Sequence, residues 1–411
     1  MTLLHRRGSF AARLGALAAA SATALAIGAS VASAAPVKPG PGWHLSAIPV
    51  KGMANLTSVV TTGRTEAWAG GFKVSSIVGH PSTALRRDFV GAAARRPAAA
   101  ADPCQEEQQM FPTLMLRWNG HSWASVTMPT VGRINALTAT GRNDVWATAD
   151  CAMLHWDGRR WTSMSYPTIP GVEQSSGELV GAGGPKDAWL IGGTYDSRTG
   201  VSRGYVRRWN GRQWQPMALP ELGNNLELSG MAVRNAHDVW VAGTDFTGSD
   251  QHSEHLVILH WNGRTWQRLK EPAISNRWTR RVEAVRALSA NDVWVVGAGQ
   301  AGSHGGDRLP IVLHWNGHEW SSTSVPDGPG EVNDLVQNGR SLWAVGDTYQ
   351  PYDMYTVRWD GKRWTRGSVP QAGTGGINGA AAIPGGGMWT VGATGDSNND
   401  TGPYPFIARH A

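Results

Sequence analysis

Two cysteines in 411 residues are too few for a disulfide-stapled scaffold or a cysteine-built zinc site. Charge is scarce as well, at 17% of residues, and no run of Lys or Arg marks a stripe for nucleic acid. Tyr and Phe number only 7 and 6. Beyond the N-terminus no apolar run approaches the length of a membrane-crossing helix. What is abundant is tryptophan, with 21 copies, and glycine, with 52. That balance fits many short strands joined by turns better than helices. Only the N-terminal region and an alanine-rich stretch near residue 95 read as helical.

Residues 1–34 read as a signal peptide. Arg6, Arg7 and Arg13 form a basic start, Leu14 to Ile27 is apolar and small, and Ala32-Ser33-Ala34 offers a cleavage site before Ala35-Pro36. No cysteine follows, which excludes a lipoprotein anchor. Both the general and the twin-arginine export routes remain open. Export implies a secreted protein, extracellular or held at the cell wall. Removal of this leader takes away three arginines and lowers the net charge from +6 to +3. That is mild for the length and gives no reason to expect a nucleic-acid partner.

Two sequence elements recur from residue 35 onward. The first is x-D-[VA]-W-x-x-G, with worn copies, marked by Trp68, Trp146, Trp189, Trp240, Trp294, Trp343 and Trp389. The second is W-[ND]-G-x-x-W, at Trp118/Trp123, Trp156/Trp161, Trp209/Trp214, Trp261/Trp266, Trp315/Trp320 and Trp359/Trp364. After the first marker, consecutive markers lie 43, 51, 54, 49 and 46 residues apart. This is the length of one four-stranded propeller blade. In the second unit, strands A to D fall at Ile134 to Ala139, Val145 to Ala149, Ala152 to Trp156 and Trp161 to Tyr166. Asp157-Gly158 supplies the hairpin turn. Tryptophans flanking such a turn meet across the strand pair and bury large area between blades.

Seven markers against six tryptophan pairs has one economical resolution. The last unit ends after strand C, at Phe406 to His410, while Trp43 to Pro49 stands alone as an orphan strand D. Pairing the two closes a seven-bladed, all-β ring and removes both open edges. The ring is expected to span 35–411 as one domain, with residues 73–113 inserted into the first blade. That insertion carries Cys104. Cys151 lies in the B–C turn of the next blade, on the same face, so a Cys104–Cys151 disulfide is expected.

The W-[ND]-G-x-x-W line, running on to endings such as Thr127-Met128-Pro129, resembles the second half of a kelch repeat. Gly70-Gly71 and Gly192-Gly193 match the kelch glycine pair, although other copies keep one glycine and Trp stands where kelch has Tyr. The chain is thus similar to secreted, kelch-like bacterial propellers. The resemblance implies a propeller over residues 42–411. One enzymatic relative of that fold uses a cysteine–tyrosine copper radical, yet both cysteines here are better used on each other. The sialidase Asp-box is absent. His155, His260 and His314 share one repeat position in different blades, so they cannot share an ion, and no metal or cofactor is expected.

Departures from the repeat mark the candidate sites. D–A connections and B–C loops share one face, and the long B–C segments Thr244 to His255, Ala298 to Pro310, Asp347 to Met354 and Thr394 to Pro405 lie there. Trp278, outside the repeat, stands in a D–A segment beside Arg277, Arg280 and Arg281, with Tyr349 and Tyr352 one blade on and Tyr404 in the last blade. Aromatic residues beside arginine have the composition of a binding hot spot. A second set is a ring near the channel: Thr57, Asn135, Glu178, Ser229, Glu283, Asn333 and Asn378. The expected function is non-catalytic binding of an extracellular protein or a glycan by a monomer. The alternative is a secreted hydrolase, lyase or oxidase at the channel mouth, with Glu178 and Glu283 as its carboxylates.

Overall fold

Each blade is an antiparallel meander whose strands A to D run in order from the axis to the rim. The computed structural model describes residues 40–74, 103–167, 174–196, 198–223, 225–246, 255–272, 277–301, 308–326, 330–348, 352–371, 374–395 and 402–411. They form seven four-stranded sheets. In blade 2, strands A to D are Ile134–Gly141, Asp144–Ala149, Met153–Trp156 and Trp161–Met164. Blade 7 takes Gly375–Ala382, Met388–Thr394 and Tyr404–His410 from the end of the chain and Trp43–Leu45 from its start. Trp43 pairs with His410 and Leu45 with Ala408. Each inner strand touches the next, and Ala54–Gly63 of blade 1 meets Gly375–Ala382 of blade 7. The chain is a closed seven-bladed propeller.

The tryptophan repeat is the mortar between blades. Trp68 of blade 1 packs on Trp156 and Trp161 of blade 2, with ring centres 5.1 and 5.3 Å away. Trp146, Trp189, Trp240 and Trp294 meet the next blade's pair in the same way. Trp389 of blade 7 meets Trp118 and Trp123 of blade 1 at 5.2 and 5.3 Å. At the closing seam His410 stands where a tryptophan would, 5.0 Å from Trp343 and 4.8 Å from Trp43. Edge-on and tilted pairs of this kind add about 0.5–1.5 kcal/mol each beyond the area they bury.

In blades 1 to 5 the acid two residues before the marker and the residue before strand C's tryptophan complete a clamp on it. Asp144 accepts hydrogen bonds from the Trp146 indole at 3.0 Å and meets His155 Nε2 at 2.7 Å, while the imidazole stacks on Trp146 at 4.0 Å. Asp238 with His260 and Asp292 with His314 repeat this. Blades 1 and 3 substitute arginine, Arg117 on Glu66 and Arg208 on Asp187, each guanidinium 4.9 Å from its marker ring. The three histidines are held separately, one per blade.

Candidate functional site

Strands A and C run one way and B and D the other, so the ring has two unlike faces. One carries the D–A connections and B–C loops, the other the A–B turns and C–D hairpins. We call them the loop face and the hairpin face.

The polar ring near the loop face has a definite backbone origin. In all seven blades the A–B ladder skips one residue of strand A towards the loop face, and these residues are Thr57, Asn135, Glu178, Ser229, Glu283, Asn333 and Asn378. Each is therefore the extra residue of a β-bulge. Released from the ladder, four of them donate to the neighbouring blade. Thr57 Oγ1 reaches Ile134 O at 2.5 Å and Ser229 Oγ reaches Val282 O at 2.8 Å. Asn333 Nδ2 reaches Ile377 O at 3.0 Å and Asn378 Nδ2 reaches Leu56 O at 2.8 Å. Every accepting carbonyl belongs to the residue just before the next bulge, so side chains satisfy the inner strands' free edges. Backbone N–H groups are met likewise: Leu137 donates to Ser58 Oγ and Ala380 to Asp334 Oδ2.

Glu178 and Glu283 bring carboxyl groups to this belt. Glu283 is buried and lies 2.6 Å from Arg281 Nε on its own strand. Glu178 sits with two tyrosines. Burial raises Tyr166 well above the usual phenol range, and its hydroxyl donates to Ala149 O at 2.5 Å. Tyr205 is raised chiefly by burial too, with Arg207 opposing and Glu178 adding to the shift. Glu178 and Glu283 belong to blades 3 and 5, with Ser229 of blade 4 between them in the belt. Among the described residues no group of three His, Cys, Asp or Glu is placed to hold a metal ion.

The loop-face cluster around Trp278 is repositioned. Arg277, Trp278, Arg280 and Arg281 lie on strand A of blade 5, Arg277–Ser289, not on the connection before it. Strands A and B of this blade both run on past the bulge, and Arg277 pairs with Ala301 and Arg280 with Gly299. The side chains of Arg277, Trp278 and Arg280, and Tyr349 entirely, lie outside the described residues. Tyr352, half-buried on blade 6, reaches blade 7: Gly375 N–H donates to its carbonyl at 2.9 Å, and a Cβ on Gly376 would stand 2.6 Å from its hydroxyl. Arg308 of blade 5 pairs with Glu331 of blade 6 across the same face.

The insertion ends in helix α1 (Pro103–Met110), which the sequence pattern did not announce. Proline suits its first turn, where N–H groups have no partner within the helix. The alanine-rich stretch near residue 95 lies outside the described residues. Cys104 and Cys151 are joined, with Cα atoms 5.5 Å apart. Arg133 adds ion pairs to Glu107 at 3.3 Å and Asp150 at 3.1 Å, and lies 4.7 Å from the Phe111 ring. Phe111 packs edge-on against Phe72. This end of the insertion is fixed over blades 1 and 2.

These features define the chain as a closed propeller with one built-up face. Among solved structures it is similar to YCF48 bound to a D1 peptide, at 16% identity and a TM-score of 0.52, over 92% of this chain and 99% of that one. It is also similar to YCF48 from Cyanidioschyzon merolae, at 14% identity and 0.50, over 90% and 98%. The likeness thus runs to YCF48 propellers, where the tryptophan hairpins had suggested secreted kelch-like ones. No family model and no curated protein matches. Among the described residues no helix is long and apolar enough to cross a membrane.

Proposed function

We propose that this chain is an exported, non-catalytic binding propeller that holds a segment of an extracellular protein on its loop face. The observation that carries this reading is where large apolar side chains remain exposed. Four are exposed among the described residues, and three of them stand on this face: Met110 at 45%, Phe246 at 39% and Tyr404 at 49%. Met110 ends helix α1, Phe246 follows strand B of blade 4, and Tyr404 opens strand C of blade 7. Exposed aromatic and methionine side chains are the kind that anchor protein interfaces. A YCF48 propeller of the same architecture is solved with a peptide bound, which supports a peptide or protein partner over a glycan. The belt beneath this face ties neighbouring blades together and gives the loops a rigid base.

Capture of partners from culture supernatant by the mature protein, with and without Phe246→Ala/Tyr404→Ala and Trp278→Ala, tests this. A specific protein retained by the wild type and lost by these variants supports it. Retention of oligosaccharides on a glycan array, unaffected by competing protein, would point instead to a sugar ligand. Turnover of any substrate abolished by Glu178→Gln/Glu283→Gln would overturn the non-catalytic reading.

A further inference from the structure

The hairpin face holds a regularity that the fold does not require. In W-[ND]-G-x-x-W the first x is basic or histidine in every copy: His121, Arg159, Arg212, Arg264, His318 and Lys362. The turn itself asks nothing of this side chain. It uses the backbone N–H, which donates to the Asn or Asp Oδ1 two residues before at 2.8–3.0 Å in each hairpin. A cation could serve the turn's carboxylate at Asp157 and Asp360, but the other four copies carry a neutral Asn. Nearer the axis, the A–B turns add Arg64, Arg142, Lys186 and Arg340.

Together these turns present ten Lys or Arg side chains, all exposed, against three carboxylates on the hairpins, Asp157, Glu319 and Asp360, and five where the A–B turns enter strand B, Glu66, Asp144, Asp187, Asp238 and Asp292. With Glu66, Asp187 and Asp238 matched beneath them, the turns keep ten cations against five carboxylates, a net +5, while residues 35–411 as a whole are only +3. Beneath them Glu66, Asp187 and Asp238 are matched by Arg117, Arg208 and Arg234, Arg142 also pairs with Glu66 at 2.8 Å, and Asp144 and Asp292 meet His155 and His314. Blade 5, with Asn291, His318 and Glu319, and blade 7, whose A–B turn is Pro384-Gly385-Gly386-Gly387 and which has no C–D hairpin, are the weak sectors.

We infer that the hairpin face docks on a planar anionic surface, an anionic lipid bilayer, leaving the loop face free for its partner. Three observations favour a plane. The cations lie at two radii and on blades 1, 2, 3, 4 and 6, so they spread over an area, where a linear polyanion could follow only an arc. The six hairpins share one length and one turn geometry, so their tips lie level. The cleft of about 610 Å³ on this face sets Asp144 and Asp157 beside Arg142, which makes no cradle for a single anion. Large exposed apolar residues are concentrated on the other face, so attachment is electrostatic and superficial, without insertion.

The test is co-sedimentation of the mature protein with phosphatidylcholine vesicles, with and without about 30% phosphatidylglycerol, at about 0.1 M and 0.5 M NaCl. Binding should require phosphatidylglycerol and fall away at the higher salt. Arg212→Glu/Arg264→Glu/Lys362→Glu should melt like the wild type yet bind about 100-fold more weakly or worse. Lys73→Glu/Arg198→Glu/Arg203→Glu, exposed on the loop face, should bind as the wild type does. Equal binding to neutral vesicles, unchanged binding by the hairpin variant, or equally tight capture by soluble polyphosphate would each overturn the proposal.

Discussion

On the hairpin face the six C–D turns are copies of one another. Each has Asn or Asp at its first position, glycine next at a φ of +90 to +99°, and the same two backbone hydrogen bonds to one Oδ1. On the loop face the B–C connections differ in length from blade to blade, and one carries a 40-residue insertion with its own helix and disulfide. The contrast separates two kinds of repetition. Where a repeated residue has a repeated contact, as the tryptophans, clamp acids and glycines do, the repeat is explained by packing. The basic hairpin position repeats without a repeated contact, and that calls for a partner outside the ring.

The comparison presupposes a closed ring, so its harshest test is the seam. Trp43→Asp would bury a carboxylate between His410 and the Trp343 side of blade 6, in place of an indole whose Nε1 donates to Ser368 O at 2.9 Å. Loss of about 5 kcal/mol or more is expected, enough to abolish cooperative folding. An unchanged thermal melt would mean that the first strand is dispensable. Next in size is Cys104→Ser/Cys151→Ser. With the cysteines 47 positions apart, the loop-entropy model assigns the bridge about 4 kcal/mol. The melt should drop while the hairpin face keeps its properties.

Much of this was legible in the chain because propeller blades are read by counting. Trp68 to Trp389 set the number of blades, and the missing partner pair pointed to Trp43. The polar ring was legible as positions, but its cause was not, because a bulge is a register event between two strands and leaves no residue-type signature of its own. Thr57 and Asn378 satisfy a neighbour's carbonyl, and Glu178 and Glu283 put carboxyl groups at the equivalent positions. Phe246 lay within a segment singled out for its length, yet its exposure depends on where strand B stops. The charge of the hairpin face escaped notice because its cations are about 50 residues apart in sequence and gather only when the blades close.

The glycine ending x-D-[VA]-W-x-x-G sharpens the two kinds of repetition further. A Cβ on Gly243 would stand 1.9 Å from Glu227 O, and one on Gly297 equally close to Arg281 O. The bulge turns that carbonyl onto strand B, so the glycine and the bulge are one feature. Gly243→Val should destabilise by about 1–3 kcal/mol through overpacking. Blade 2 tolerates Ala149 there, with the Tyr166 hydroxyl bonded to both its N–H and its carbonyl. Chemical denaturation of the Gly243 variant beside Ala149→Gly separates the general rule from this exception.

A smaller effect is expected at the seam on acidification. Burial, with Arg358 and His44 nearby, holds His410 below its ordinary pKa despite an opposing backbone bond at Ala411. The folded ring therefore keeps a neutral imidazole, while the unfolded chain takes up a proton below about pH 6.5. Unfolded protein then binds more protons, so stability is intact above that pH and declines as pH falls from it towards the folded value. His410→Phe should flatten this part of the stability–pH curve measured by denaturant titration.

The smallest effect is the most informative about the hairpins. Arg212 and Asn210 stand in one turn, yet the two kinds of repetition predict opposite results for them. Asn210 Oδ1 accepts from the N–H groups of Arg212 and Gln213, both at 2.9 Å, so Asn210→Ala should cost about 0.5–2 kcal/mol, like the loss of a cap. The Arg212 side chain is exposed and makes no ion pair among the described residues, so Arg212→Ala should change stability by no more than about 0.5 kcal/mol. Urea titration of the two single variants gives the difference directly. Were Arg212→Ala to cost as much as Asn210→Ala, the basic position would belong to the turn, and the charge on this face would be a by-product of folding. A neutral result leaves the repeated cation with no work inside the ring.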